Sequence, residues 1–423
     1  MEQSQTLEQR PTVLRAWSRV HDFVLGRANP WTMGALAFLV YMIANNHQYM
    51  HFNYYMHLAE SFLQGKMYVE NPPPWLTEFT WHNGRAYLFY GPLPAVILMP
   101  LVAVFHQTLN LAYVSIAVGA IDVGLVFSLL SRLGCARATT FWLTLIFAFG
   151  SVHFWVSGYG NNWLFSQVVA VLFLLLGAVE AFGKKRSWLV GLFLGAAILS
   201  RNACLLAVPF YLVALNLPRP HWKKAAGFLI ALGFMAALNG WYNWARFGNP
   251  LDNGYLAGEA ALLRPEHGSF SLHYLVKMMP AYIWRGPTLY PHWPYLGLTD
   301  HGLSIFWTTP PFIYLIPAAA AFWAFKPVLG AAPVTSAFWK DQTWWLAFAA
   351  WSAVVPMACL YLCYVGDGWR QFGARYSLDY TPFLLAALGI YFRDRLPGLV
   401  PKLAVVAFAI NIWGVAWWRI LGW

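Results

Sequence analysis

Three arginines stand where an oily chain has little reason to place charge. Arg201 lies in the turn SRNA (200–203), and Arg370 and Arg375 lie in GDGWRQFGARYSLD (366–379). Each is within a few residues of a long apolar run. A guanidinium presents a rigid fork of donors that matches phosphate oxygens, so arginines at this depth suit capture of an anionic headgroup. Neighbouring acids offer a plainer role: Arg370 could pair with Asp367, and Arg375 with Asp379. Arg201 has no acid close to it in sequence. Ser377 or Asp379 could also cap the helix that follows. One more acid stands alone inside an apolar run, Asp122 in SIAVGAIDVGLVF (115–127). A charge at mid-membrane costs roughly 2.5–3.5 kcal/mol on insertion scales, so this aspartate should be paired, protonated or beside water. A proton relay at Asp122 would fit a transporter.

The elements that must position these groups follow from composition. Of 423 residues, 59% are hydrophobic, 18% aromatic and only 10% charged. A soluble globular domain carries about 25% charged residues. Apolar runs approaching the roughly 20-residue spanning length recur, without strict alternation, so the chain reads as an all-α integral membrane protein and not a β-barrel. Runs at 30–44, 113–130, 139–156, 164–182, 187–200, 204–217, 225–238, 304–325, 343–365, 380–392 and 403–418 predict about eleven transmembrane helices. GPLPAVILMPLVAVF (91–105) is short and holds Pro92, Pro94 and Pro100, which predicts an interfacial or re-entrant helix. Residues 1–29 are polar and basic with no cleavable signal pattern, which predicts a cytoplasmic N-terminal segment and a retained first span. Residues 30–423 then form a single polytopic domain.

With the N-terminus inside, most Lys and Arg fall in inner loops and the acids lean outward. Outer loops at about 45–112, 239–303 and 366–379 then share one face with the Arg201 turn. The expected location is the inner (plasma) membrane, with many passes. The net charge of +11 fits this orientation. Its basic residues are spread over loops, so no nucleic-acid partner is expected. Trp and Tyr crowd the outer loops, as in an interfacial belt or as walls for a lipid chain or sugar ring. Cys135, Cys204, Cys359 and Cys363 lack metal-ligand spacing with histidines and read as buried thiols. Neither a metal site nor a cofactor is expected.

This order of spans and loops, with YYMHLAESFLQGK, RAYLFYGPLPAVILMP, SGYGNNWLFSQVVAVLFLLL, GLFLGAAILSRN, GWYNWARFGNPLDNGY and RQFGARYSLDYTPFL, resembles the GT-C superfamily of polytopic membrane glycosyltransferases, such as the protein mannosyltransferases and aminoarabinose transferases. The resemblance covers most of the chain, although no stretch is a strict signature. It implies transfer of a sugar from a polyprenyl-phosphate carrier to an acceptor on the outer face, with a lipid-linked sugar donor and membrane lipid as partners. An acceptor hydroxyl would attack the anomeric carbon while lipid phosphate leaves, which calls for a base and for cations. Under the resemblance Glu60 is the first candidate base and His51 the second. Arg201, Arg370 and Arg375 would hold phosphate, and Asn53 and Asp367 would contact substrate. A salt bridge from Glu60 to Lys66 is the plainer alternative.

Two departures bear on mechanism. Members of the superfamily usually carry an Asp-Glu or Asp-Asp pair early in the first outer loop, where this chain has His51 and Phe52. The second outer turn, which holds metal-binding acids in oligosaccharyltransferases, reads Gly160, Asn161, Asn162, as in metal-independent members. Two other functions remain open. A transporter or lipid flippase would rest on Asp122 and the missing acidic pair, although no internal repeat is evident. A non-catalytic GT-C-like protein would bind lipid-linked sugars or a partner protein.

Overall fold

The computed structural model describes residues 23–45, 47, 51–217, 221–263, 265–293, 295–324, 342–368 and 370–420. Residues 1–22 of the expected cytoplasmic segment lie outside them. The first helix, α1 (Pro30–Ala44), opens on a capping box. The Asn29 side chain accepts from the Trp31 and Thr32 N–H groups, and Thr32 returns a bond to the Asn29 N–H. Donors that would otherwise be stranded at the helix start are thus satisfied, and Pro30 takes the first helical position, where no N–H is needed.

A short helix α2 (Tyr54–Leu63), a ribbon β1 (Phe79–His82) and β2 (Arg85–Leu88), and α3 (Leu93–Phe105) follow. Next come α4 (Leu111–Arg132), α5 (Arg137–Phe149), α6 (His153–Tyr159), α7 (Asn162–Ala181), α8 (Ser187–Ser200), α9 (Val208–Asn216) and α10 (Trp222–Phe247). The remainder comprises α11 (Tyr255–Leu263), α12 (Leu275–Ile283), a ribbon β3 (Thr288–Leu289) and β4 (Leu296–Gly297), α13 (Ile305–Thr308), α14 (Leu315–Ala324), α15 (Gln342–Leu362), α16 (Thr381–Phe392) and α17 (Leu399–Ile420). The two ribbons depart from the all-α expectation, though both sit in loops.

Among the described residues, five helices are long and apolar enough to cross a membrane: α4, α7, α10, α15 and residues Leu399–Trp418 of α17. The pair α5 and α6, bent by 49°, would make a sixth. Six further apolar helical stretches run only 10–17 residues. At 1.5 Å per residue such a stretch reaches about 15–25 Å, less than the roughly 30 Å hydrocarbon core. The eleven expected runs are therefore present as helical segments, but only these five or six have spanning length. Breaks explain several of the differences. Ser151 bonds back to the Phe147 carbonyl and accepts from the His153 N–H, ending α5 and starting α6. The run at 204–217 divides into a 3₁₀ turn, Asn202–Ala207, and α9. The helix that most exceeds its expected run is α10. It continues to Phe247, where the sequence pattern ends near 238, because Tyr242 packs on Phe62 and Arg246 bonds Leu88 in the first loop. The second loop accordingly begins at Gly248.

α4 and α7 form the buried centre, while α10, α15 and α17 present broad apolar faces outward. α8 meets α10 through Gly191 and Gly195, a small-xxx-small pair. A Cβ at Gly191 would stand 2.4 Å from the Phe228 carbonyl oxygen, a backbone atom that cannot swing away. Only Cys204 of the four free cysteines is fully buried; Cys359 faces out from α15.

The loops gather at one end of this bundle. The Asn162 N–H donates to the Phe52 carbonyl (3.2 Å), and Arg246 Nη1 donates to the Leu88 carbonyl (3.0 Å). Thr80 donates to the Gly254 carbonyl (2.7 Å), and the Leu303 N–H to the Phe372 carbonyl (2.9 Å). The three polar excursions thus interlock with one another and with the start of α7. Overpacking a helix contact typically costs about 1–3 kcal/mol. Gly191→Ala should therefore lower the unfolding temperature of the detergent-solubilised protein. Gly233→Ala, where a Cβ meets nothing within 4 Å, should leave it unchanged or raise it slightly.

Candidate functional site

Arg201 terminates α8, and its N–H still bonds to the Ala197 carbonyl (2.8 Å). From there the side chain crosses to the 366–379 loop. Nε donates to Asp379 Oδ2 (3.0 Å) and Nη2 to the Tyr361 hydroxyl (3.1 Å). The Tyr361 hydroxyl donates in turn to the same carboxylate oxygen. Asp379 is fully buried. A carboxylate so placed needs partners of this kind, because an unpaired buried charge is very costly. The pairing of Asp379 with Arg375 expected from sequence is therefore replaced by a pairing with Arg201. Nor does Asp379 or Ser377 cap α16: Tyr380 holds the N-cap position with no side-chain bond.

Arg375 is left with a different environment. It is 8% exposed, its Nε has no hydrogen-bond partner, and no carboxylate lies within ion-pair distance among the described residues. Its guanidinium carbon stands 5.0 Å from the Tyr376 ring centroid. The Arg201 guanidinium stands 5.1 Å from the same ring. The pose is fixed through the backbone. Gln167 of α7 donates to the Arg375 carbonyl (2.9 Å), and the Arg375 N–H donates to Gln371 Oε1 (3.3 Å). Gly368 (φ 88°) leaves room for the guanidinium, since a Cβ there would come within 2.8 Å of Arg375 Nε.

Glu78, which the sequence reading did not single out, lies within electrostatic reach of this cation. Its Oε2 accepts from the Tyr90 hydroxyl (2.8 Å) and from Trp163 Nε1 (2.6 Å). The hairpin β1–β2 brings Glu78 and Tyr90 side by side. Its two-residue turn is Asn83-Gly84, both with positive φ (49° and 72°), a geometry that Asn-Gly favours and that matches strand twist. Burial pushes the Glu78 carboxyl above its ordinary value; the bonds from Tyr90 and Trp163 and the charge of Arg375 pull it down without cancelling that rise. The buried Tyr55 hydroxyl feels both Arg201 and Glu78. The cluster therefore offers an under-bonded cation, a carboxylate that gives up its proton later than usual, and aromatic walls. Chemically it suits an anion beside a group that exchanges a proton.

The other residues expected at a site lie around this cluster. Glu60 accepts from Gln107 Nε2 (2.7 Å), and Asn53 Nδ2 donates to Gln107 Oε1 (3.2 Å). Both therefore pin α2 to the turn after α3. Glu60 follows Tyr55 by five residues, about 140° around the helix, so it faces away from the side of α2 that meets Arg201. Lys66 pairs with Glu70 (2.7 Å), not with Glu60. His51 is exposed, with its ring edge-on to Trp75. Asp367 is buried and pairs with His301 (2.7 Å) and Arg285 (3.5 Å), where the sequence suggested Arg370. Arg370 is exposed with φ 55°.

Asp122 is fully buried, 3.4 Å from His153 Nε2. Ser157 Oγ meets the same ring nitrogen at 3.1 Å, while Tyr41 meets Nδ1 at 3.0 Å. Because serine and aspartate share one nitrogen, this is not a relay of the nucleophile–base–acid kind. It ties α1, α4 and α6 together. Among the described residues, no three His, Cys, Asp or Glu side chains group as metal ligands.

A groove of about 690 Å³ runs between α8 and α10, walled by Gly195, Leu232, Met235, Trp241 and Trp244. Leu199 and Leu205, on either side of Arg201 in the chain, also line it. Comparison with family models, curated proteins and solved structures found no match.

Glu78 offers a test of this geometry. At pH below its ordinary value of 4.5 it is protonated whether the chain is folded or not, so Glu78→Gln should change little. As pH rises past that value the unfolded chain ionises first, and the wild type loses stability until the folded carboxyl also ionises. The unfolding temperature of Glu78→Gln minus that of wild type should therefore rise across that interval and then level off. A flat or falling difference would contradict a raised Glu78.

Proposed function

We propose that the chain is a membrane glycosyltransferase that moves a sugar from a polyprenyl-phosphate carrier to an acceptor hydroxyl at the loop-bearing end of the bundle. On this reading that end faces outward from the inner membrane, the N-terminus is cytoplasmic, and the shorter apolar helices pack beside the five long ones to complete about eleven passes. The observation that carries the proposal is Arg375, a buried guanidinium with an unfilled donor, fixed by Gln167 and Gln371 and within electrostatic reach of Glu78. A structural arginine that buried would ordinarily be paired, as Arg201 is.

The reaction uses these groups in order. The lipid chain lies in the groove between α8 and α10, and its phosphate meets Arg375 near the Arg201 turn. The acceptor oxygen attacks the anomeric carbon as the bond from that carbon to the phosphate oxygen breaks. The bonding pair leaves with the phosphate, where Arg375 stabilises the growing charge. The hydroxyl proton passes to Glu78, whose raised affinity for protons suits a base working near neutral pH. Trp163 and Tyr376 flank the sugar. Glu60 and His51 lie off this line, so Glu78 replaces them as the base.

Loss of one preorganised donor to a developing anion costs about 10²–10³ in rate. Arg375→Ala should therefore reduce turnover of polyprenyl-phosphate-linked sugars at least about 100-fold, with the unfolding temperature kept. Arg201→Ala should instead cost about 3–5 kcal/mol of stability, because it strands Asp379. Assays of donor breakdown across a panel of such sugars, paired with thermal unfolding, separate the two effects. Wild-type turnover in Arg375→Ala would remove the assignment.

A further inference from the structure

The segment from Leu272 to Tyr295 carries apolar surface that no part of the described protein covers. On α12, Val276, Met279 and Ile283 form one exposed face at helical spacing, opposite the buried Met278, Ala281 and Tyr282. Val276 is 85% exposed. The ribbon β3–β4 continues this surface, with Leu289 78% and Trp293 74% exposed. No acid occurs between Glu266 and Asp300, and the only full charges from 272 to 295 are Lys277 and Arg285. Apolar, Trp- and Tyr-bearing, weakly basic surface of this kind matches the headgroup–acyl boundary of a bilayer.

Two anchor points fix its level. Just before α12, the Ser271 N–H donates to the Cys363 carbonyl (2.8 Å), and the Val365 N–H donates to the Ser269 carbonyl (3.0 Å), so the segment starts at the end of α15. The base of the ribbon rests on α17: a Cβ at Gly297 would stand 3.1 Å from the Trp417 ring. α15 and α17 are both long enough to span, and both present apolar faces outward. Their loop-side ends mark where lipid ends and water begins, and the exposed surface is continuous with them at that height. A water-facing surface at this level would have no reason to lack acids.

We infer that α12 and the β3–β4 ribbon form a membrane-surface platform, seated in the headgroup–acyl boundary of the leaflet at the loop-bearing end. The platform is joined to the loop that carries Arg375. The Arg285 carbonyl accepts from the Ser304 N–H (2.8 Å), the Arg285 guanidinium pairs with Asp367, and Leu303 pairs with Phe372 and Ala374. The bilayer thus sets the height of that loop. This inference does not depend on the sugar-transfer reading.

The test uses the full-length protein in lipid nanodiscs. One preparation contains phospholipid with a photoactivated carbene source high on its acyl chain; a second receives a water-soluble carbene source. Peptides spanning Val276, Leu289 and Trp293 are then read by mass spectrometry. The lipid-borne probe should label them at least about tenfold more than the aqueous one, as for an amphipathic element in the interface. Val276→Glu combined with Leu289→Glu should lower that ratio while labelling of α17 stays the same. Labelling mainly by the aqueous probe would overturn the inference. So would protection from both probes, which would mean that protein covers the surface.

Discussion

The buried contact between Arg201 and Asp379 governs the polar end of this molecule. It joins the end of α8 to the start of α16 and shares Asp379 with Tyr361 of α15. With Asp379 occupied, Arg375 four residues earlier has no carboxylate to neutralise it. One carboxylate oxygen of Asp379 is thus filled by Arg201 and Tyr361 while the other, Oδ1, has no hydrogen-bond partner, and Arg375 Nε is left without one as well. Tyr376 lies against both cations, so the filled and the unfilled sites share one aromatic surface.

Around this contact, polar loops and apolar helices are stabilised by different physics. In the bundle, close approach through Gly191 and Gly195 substitutes dispersion for a hydrophobic force that lipid does not supply. The fully enclosed Asp122 meets His153, at the bend between α5 and α6, through one oxygen only, and its Oδ1 has no hydrogen-bond partner. At the loop end the interactions are backbone bridges and aromatic contacts. The Phe372–Ala374 backbone bonds to Leu303, Arg246 packs on Tyr242 and Phe247, and Trp163 reaches across to Glu78. Rigid helices thus hold the ends of the loops, and the loops hold the charged groups.

How much of this was legible depended on the range of the interaction concerned. Apolar runs marked nearly every helix, because each run carries its own signal. Where α10 ends was not legible, since its last turns are helical through contacts of Tyr242 and Arg246 with the distant first loop. The hairpin was legible and was missed: Asn83-Gly84 between TWH and RAYL is a strong local turn signal. Recognising it would have drawn notice to Glu78 and Tyr90 on its two flanks. The partner of Arg201 could not be read, because Asp379 lies 178 residues away and local spacing favoured Arg375. Glu60 was singled out for its place in the first loop, but helix rotation turns it toward Gln107.

If Arg375 is an anion site, as proposed, binding measures it without any assumption about the sugar. Phosphorus NMR of a short-chain prenyl phosphate added to the nanodisc-embedded protein should show a shifted, broadened resonance with wild type and with Arg370→Gln. The effect should vanish with Arg375→Gln. An unchanged resonance with wild type, or one that responds equally to Arg375→Gln, would contradict it.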